Sequence, residues 1–462
     1  MDQTNPSDDV GLKRGTLLVI ASVSFLVPFA GSSINIALPS IGTELAMNAV
    51  SLSWVASAYI LSVALFLVPF GRIADIYGRK RIFIYGIWIF TASSFLLSMS
   101  QSVSALICFR VFQGMGSALI FGTADAILLS AFPASERGKV LGINIASVYS
   151  GLSAGPVIGG FLTQSFGWRS IFILNVPVGV MVGLFTFWKW KGEEVEGERE
   201  PFDLLGAFIY GLALISVMYG FSSLPTVTGF GLLLIGAFGI LGLVMWEKRA
   251  KSPVLNLDLF RTNTVFALSN LAALINYSAT YAVSFLLSLY LQFAKGLSPR
   301  EAGLILIAQP IVQAVCSPIA GRLSDRVEPR IVSSMGMALT SAGLLSFSFL
   351  NEKTALGSII ASLILLGFGF SLFSSPNINA VMSSVEKRFY GVAAATLGTM
   401  RMNGHMISMG ITTLVFSMTM GAVPIVPEYY SLFLQGERTA FSLFALLCFG
   451  GIFASLARGK IR

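Results

Sequence analysis

The chain has 462 residues, 55% of them hydrophobic and 11% charged, with a mean hydropathy of +0.80; soluble domains carry roughly a quarter of charged residues, so a large soluble domain is excluded. The net charge of +8 could suit a nucleic-acid binder, but the basic residues fall in short clusters between apolar runs, which is a signature of membrane topology, and no nucleic-acid partner is expected. Cys108, Cys316 and Cys448 lie inside apolar runs without CxxC spacing, which excludes a disulfide framework and gives no metal site.

Met1 to Arg14 carries Asp2, Asp8 and Asp9 and leads into an apolar run with no small-residue cleavage site, so the first run reads as a retained span. Crossing the hydrocarbon takes about 20 apolar residues per helix. Such runs lie near 15–38, 51–70, 82–100, 103–131, 140–163 and 168–190. The densest charge run follows, KWKGEEVEGEREPFD from Lys189 to Asp203, then spans near 204–223 and 228–247 and a second polar linker over 247–263. Six more runs lie near 264–293, 299–321, 331–350, 355–376, 391–420 and 438–457.

The chain therefore reads as an all-α polytopic membrane protein of fourteen transmembrane helices. Residues 1–190 form a six-helix bundle, 191–263 hold linkers and two additional helices, and 264–462 form a second six-helix bundle. With alternate loops assigned to alternate sides, twenty-three of the 30 Lys and Arg residues fall on the side of both termini and five on the other. That asymmetry predicts a multi-pass cell-membrane protein with both termini in the cytoplasm.

Between the second and third runs stands GRIADIYGRKR, Gly71 to Arg81, and about 250 residues on GRLSDRVEPR begins at Gly321. The same basic turn at matching points of two halves points to a repeated bundle. Gly71 and Gly78 are expected to make a tight reversal, with Asp75 among Arg72, Arg79, Lys80 and Arg81 as a latch between bundles. A positive-inside anchor alone accounts for the basic residues but not for Asp75 or Asp325.

The fourth run carries Arg110, Gln113 and Asp125, and the thirteenth Arg401 and His405. Ionisable groups inside a membrane are costly and usually functional. Asp125 is the one carboxylate placed well inside a span, and such a group can carry a proton. His405 follows Arg401 by four residues on the same helix face; it reads equally as a proton carrier or a hydrogen-bonded interior histidine. Taken by itself, Arg110 reads as a structural arginine held by carbonyls. In the fifth run Gly151, Gly155 and Gly159 recur at spacing four beside Pro156 and Gly160, a face for close helix packing with a bend.

These motifs resemble the major facilitator superfamily, in particular its fourteen-span drug:proton antiporter branch. The similarity runs through Gly71–Lys80, Leu106–Gly116, Gly151–Gly160, Gly167-Trp168-Arg169 to Asn175-Val176-Pro177, and the two added central spans. It implies the major facilitator fold, with the two central helices beside the bundles. It also implies a latch at Gly71, Asp75, Gly78, Arg79 and Asp325, proton transfer at Arg110 with Gln113, an exporter motif in the fifth span, and cavity positions Asn35, Gln113 and Arg401. In one place the chain departs: Asn35-Ile36-Ala37-Leu38-Pro39 matches, but the first-span position where the branch has an acid is Ala30.

One His, no Ser/His/Asp arrangement, no metal-ligand spacing and no GxxxxGK[ST] loop leave no enzyme to expect and no cofactor. The expected function is proton-coupled export of small amphiphilic compounds by alternating access, by a monomer whose partners are substrate, protons and membrane lipids. An importer, uniporter or lipid flippase on the same scaffold is the alternative; a non-transporting sensor would need a cytoplasmic domain that linkers under twenty residues do not provide.

Overall fold

In a computed structural model, residues 6–133, 136–189, 202–249, 257–386 and 389–459 are described. Much of the expected charge run, 190–201, lies outside them. So do 250–256 of the second linker, and Lys387, Arg388, Lys460 and Arg462 of the basic side.

Where no water can reach the backbone, N–H and C=O groups must bond within their own segment, and helix follows helix. The first set is α1 (Pro6–Glu44), α2 (Ala49–Tyr77), α3 (Arg79–Ser98), α4 (Val103–Ala131), α5 (Arg137–Phe166) and α6 (Arg169–Lys189). Then come α7 (Leu204–Ser223), α8 (Val227–Glu247) and the short α9 (Leu257–Thr262). The last set is α10 (Thr264–Thr280), α11 (Val283–Leu289) with a π-helical turn Tyr290–Ala294, α12 (Pro299–Leu306), α13 (Ala308–Ser324), α14 (Pro329–Phe347), α15 (Leu356–Ser383), α16 (Tyr390–Thr419) and α17 (Tyr430–Ala457). Helix starts are capped by side chains of Asn48, Ser102, Thr226, Asn263 and Ser298, which accept backbone N–H groups.

Among the described residues, twelve helical rods are long and apolar enough to cross a membrane, counting 264–294 and 299–324 as one rod each. α14 and α16, of 19 and 30 residues, have the length as well; their Ser and Thr residues, and in α16 Arg401, Asn403 and His405, lower their hydropathy.

The two sets pack by one plan. α1 lies on α5, α2 and α3 on α4, and α3 on α6; correspondingly α10 lies on α16, α13 and α14 on α15, and α14 on α17. α7 packs against α2 and α16, at the seam between the bundles, and α8 packs on α7. The Tyr210 hydroxyl donates to Ala64 O (3.1 Å) and Asn403 Oδ1 (3.2 Å), tying α7 to a helix of each bundle. Trp54 Nε1 donates to Ser222 Oγ at 2.8 Å.

The face where α1 begins and α17 ends is the terminal face, and its opposite the distal face. Toward the distal face one buried cluster runs through both bundles, from Ile34, Leu38 and Leu52 to Phe285, Leu286 and Phe416. Here Ser288 Oγ donates to Asn35 O (2.7 Å), Gln292 Nε2 to Ile36 O (3.0 Å), and Ser53 pairs with Thr413 (2.9 Å). Toward the terminal face the clusters separate: Val19, Phe83, Phe90 and Leu128 in the first bundle, Phe266, Val381 and Ala393 in the second. The described residues thus join the bundles at the distal face through one core and cross-bundle hydrogen bonds, whereas toward the terminal face each bundle has its own core.

Two sequence expectations need correcting. Gly71 is not part of the reversal: α2 continues to Tyr77, and the turn is Gly78 alone, whose φ of 106° favours glycine. A Cβ on Gly71 would lie 3.9 Å from Gly122 O of α4, an ordinary contact, so neither the turn nor the packing requires glycine there. Nor is Asp125 the one carboxylate inside a span: α17 starts eight residues before 438, and its Glu437 is fully buried.

Candidate functional site

At the centre of the first bundle, one polar chain crosses three helices. Arg110, 1% exposed on α4, donates from Nε to Val55 O of α2 (3.1 Å) and from Nη1 to Gln113 Oε1 (2.6 Å). Gln113 Nε2 donates to Ser94 Oγ of α3 (2.9 Å). The Arg110 guanidinium sits 4.2 Å from the centroid of the Tyr59 ring, and the Tyr59 hydroxyl pairs with Ser117. A buried cation needs this much: a carbonyl, an amide oxygen and an aromatic face replace water.

The second bundle answers with aromatic rings. α10 stops at Thr280 and α11 resumes at Val283; the break is fixed by α16, where Ser408 Oγ accepts the Ala282 N–H at 3.0 Å. The break carries Tyr277 and Tyr281. His405 stacks on Tyr281 (centroids 4.2 Å, 24°) and meets Tyr277 edge-on (5.4 Å, 82°), while Tyr277 abuts Phe370 at 5.6 Å. Gly404 makes the approach possible, since a Cβ there would lie 2.7 Å from Tyr277 Cβ. Tyr281 lies within electrostatic reach of Arg110 and Tyr59, so the cluster spans the two bundles.

Toward the terminal face, Asp125 is exposed and accepts a hydrogen bond from Asn144 Nδ2 of α5 at 2.8 Å. Arg401 of α16 acts on it electrostatically from the other bundle, as it does on Tyr277 and His405. The Arg401 Nε has no hydrogen-bond partner. Asp125 and Arg110 are not one cluster: fifteen residues of α4 separate them by roughly 22 Å. Arg401 and His405 do stand together, and Arg401 links the aromatic pair to the carboxylate.

The other expected residues fall into place around this axis. Asp75 pairs with Arg79 of its own turn, Arg79 Nε to Asp75 Oδ1 at 2.8 Å, both side chains partly exposed on the terminal face. Asp325 closes the end of α13 at the matching turn, and a Cβ on Gly321 would lie 2.9 Å from Ser375 Oγ of α15. Gly151, Gly155 and Gly159 press α5 onto α1 at Phe25 O, Ser32 and Ser33. Gly160 meets Pro299 O of α12, and Gly303 of α12 meets Pro156 O, so the same stretch also joins the bundles. Asn35 is buried where α1 meets α11, and Ala30 faces the apolar core of its own bundle.

The sequence analysis missed Tyr59, Tyr277, Tyr281 and Glu437. The run Asn276-Tyr277-Ser278-Ala279-Thr280-Tyr281, polar in the middle of an apolar stretch, was the available signal for two of them. No group of three or more His, Cys, Asp or Glu among the described residues could hold a metal.

A family model described as Major Facilitator Superfamily matches residues 20–268 and 269–460. The chain is 30% identical over 437 residues to the riboflavin transporter RibZ of Clostridioides difficile, covering 94% of this chain and 95% of that one. It is 30% identical to the multidrug resistance protein Stp of Mycobacterium tuberculosis, over 86% of this chain and 74% of Stp. To the cephamycin export protein CmcT of Amycolatopsis lactamdurans it is also 30% identical, over 90% and 88%. In fold it is similar to the crystal structure of a bacterial homologue of the human lysosomal transporter Spinster, inward-facing and unoccupied, with a TM-score of 0.71, 15% identity and 98% of each chain covered.

Proposed function

The chain belongs to the Major Facilitator Superfamily, and on that premise we propose that it is a proton-coupled secondary active exporter of small amphiphilic compounds. It works by alternating access in the cell membrane, with fourteen spans, both termini in the cytoplasm, and the bundles 1–190 and 264–462 rocking about the seam that α7 and α8 flank. The observation that carries this is the arrangement at the centre: buried Arg110 and Tyr59 of the first bundle lie within electrostatic reach of Tyr281 in the second, beside Tyr277, His405 and Arg401, and below them the two bundles have separate cores toward the terminal face. Aromatic walls take up flat apolar bodies, and the partly exposed Arg401 guanidinium can donate to a neutral or anionic polar edge. Asp125, exposed toward the terminal face and within electrostatic reach of Arg401, is the proposed proton carrier, with Arg110 and His405 as the other coupling groups. The likeness to Stp and CmcT, named for resistance and export, supports the direction.

Purified protein in proteoliposomes with a pH-sensitive dye inside, an imposed proton gradient and a panel of cationic, neutral and anionic amphiphiles tests this. Wild type should dissipate the gradient with some of the compounds, and Asp125→Asn should not. Substrate movement without proton movement would leave a uniporter or flippase.

The likeness to RibZ over nearly the whole of both chains favours a second possibility, movement of a planar heterocycle, with import as its direction. Accumulation in whole cells, against accumulation in inverted vesicles, separates import from export.

A further inference from the structure

Glu437 lies on α17 near the distal face and is 0% exposed, among Phe433, Ala440 and Phe441, also 0% exposed. Neither Oε1 nor Oε2 has a hydrogen-bond partner. An ionised carboxylate sealed without a partner is strongly disfavoured, whereas the neutral acid is tolerated. The group is therefore compatible with this closed arrangement only while it holds its proton.

What it lies against gives that proton a task. The charge of Glu437 acts on Tyr290, the first residue of the π-helical turn Tyr290–Ala294. The Tyr290 hydroxyl is anchored on Asn351 O at 2.6 Å. On either side of Tyr290, Ser288 and Gln292 donate to Asn35 O and Ile36 O of α1, and Gln292 Nε2 also donates to Ser288 Oγ at 3.0 Å. The π-turn thus packs on α17, feels the charge of the buried acid, and with the adjoining Ser288 supplies two of the hydrogen bonds that close the distal face. π-turns are rare interruptions of the helical ladder and are frequent at functional sites.

The other titratable groups on the elements around α17 are occupied elsewhere. On α17 itself Arg438 Nε donates to Leu350 O, and Tyr430 lies near Glu352. Lys295, after the π-turn, lies over the Tyr290 ring and donates to Glu352 O. Ile331 to Phe347 of α14 holds no titratable residue. Tyr277 of α10 and Arg401 and His405 of α16 belong to the central cluster, His405 being roughly 16 Å along α16 from Phe416, which packs on Phe433. Cys448 of α17 is engaged with Asn276 and Met337 O.

We infer that Glu437 is a proton-binding site whose occupancy holds the distal face shut and whose ionisation accompanies its opening. The inference rests on alternating access, but not on export, on the substrate or on Asp125. Opening the distal face releases a proton, so raising the pH favours opening. One linked proton changes the ratio of open to closed by up to about tenfold per pH unit.

The test uses the full chain in lipid nanodiscs, without substrate or gradient. Spin labels go on Gln101→Cys and Lys353→Cys, exposed positions in the α3–α4 and α14–α15 turns of the distal face, with Cys108, Cys316 and Cys448 replaced. Between about pH 5 and pH 9 the interlabel distances should shift from a short to a long population, and Glu437→Gln, which mimics the protonated acid, should stay short throughout. The inference is overturned if wild type does not respond to pH, if Glu437→Gln responds like wild type, or if Asp125→Asn alone removes the response. A second readout needs no substitution: dicyclohexylcarbodiimide, which adds to protonated carboxyls shielded from water, should tag the Glu437 peptide at low pH and not at high pH. An untagged peptide at low pH also overturns it. Failure of the vesicle assay for export leaves both readouts intact, so the two ideas fall separately.

Discussion

Arg169 and Arg438 stand at matching places in the two bundles. Arg169 Nη2 donates to Ser100 O after α3, and Arg438 Nε to Leu350 O after α14, at 2.9 and 2.5 Å. Each guanidinium, carried by the last helix of its bundle, closes the end of the third. In the first bundle the device is larger: Arg169 also pairs with Glu44 (2.6 Å), lies 4.1 Å from the Trp168 ring centroid, and Trp168 Nε1 donates to Glu44 (2.7 Å).

Because the Glu44–Arg169 pair is partly exposed, Glu44→Gln should cost under about 1 kcal/mol. Arg169→Ala and Arg438→Ala each leave a carbonyl unserved and should cost about 1–3 kcal/mol. Thermal unfolding in detergent gives the order; an equal loss from Glu44→Gln and Arg169→Ala would mean that the ion pair carries the effect.

The glycine face of α5 allows a sharper contrast. A Cβ at Gly151 would overlap Phe25 O and one at Gly155 would overlap Ser32 Oγ, whereas one at Gly142 would meet nothing within 4 Å. Alanine at 151 or 155 should therefore cost about 1–3 kcal/mol through overpacking. At 142 it should be neutral or stabilise by up to about 1 kcal/mol through helix propensity. Melting temperatures of the three single variants decide it.

Apolar run length and charge placement made the helices legible, because lipid leaves the backbone few alternatives. Gly71–Arg81 and its echo at Gly321 disclosed the repeat, and the spacing of Gly151, Gly155 and Gly159 disclosed the packing face. What stayed hidden depends on contacts between distant helices. The aromatic cluster is set by Tyr277 and Tyr281 of one helix rod meeting His405 of another. Glu437 escaped notice because it sits near a helix start, where hydropathy reads a boundary, yet packing of α17 against α10, α14 and α16 leaves it fully buried.

α7 is fastened to both bundles, and the fastenings are separable. Tyr210→Phe removes the bonds to Ala64 O and Asn403, and Trp54→Phe removes the bond to Ser222. Each should cost about 1 kcal/mol. Tyr210→Phe combined with Asn403→Ala should cost less than the sum, since they share a bond, whereas Tyr210→Phe with Trp54→Phe should add to within about 0.5 kcal/mol. Unfolding of the two double variants checks this, and additivity in the first pair would show that the Tyr210–Asn403 contact contributes nothing.

His405 is flanked by one stacked and one edge-on tyrosine, a position that a phenyl ring can also fill. If its part is to complete an aromatic wall, His405→Phe should stay within about 1 kcal/mol of wild type, whereas His405→Ala opens a cavity costing about 2–3 kcal/mol and loosens both tyrosines. Binding of a flat aromatic compound, followed by tryptophan fluorescence, should survive in the Phe variant and weaken several-fold in the Ala variant. Proton movement in vesicles separates the remaining possibility. With Asp125 as carrier, His405→Phe still moves protons with substrate and Asp125→Asn does not. If instead His405→Phe carries substrate and leaves the gradient untouched, the imidazole is the carrier, and Asp125 with Asn144 serves to hold α4 against α5.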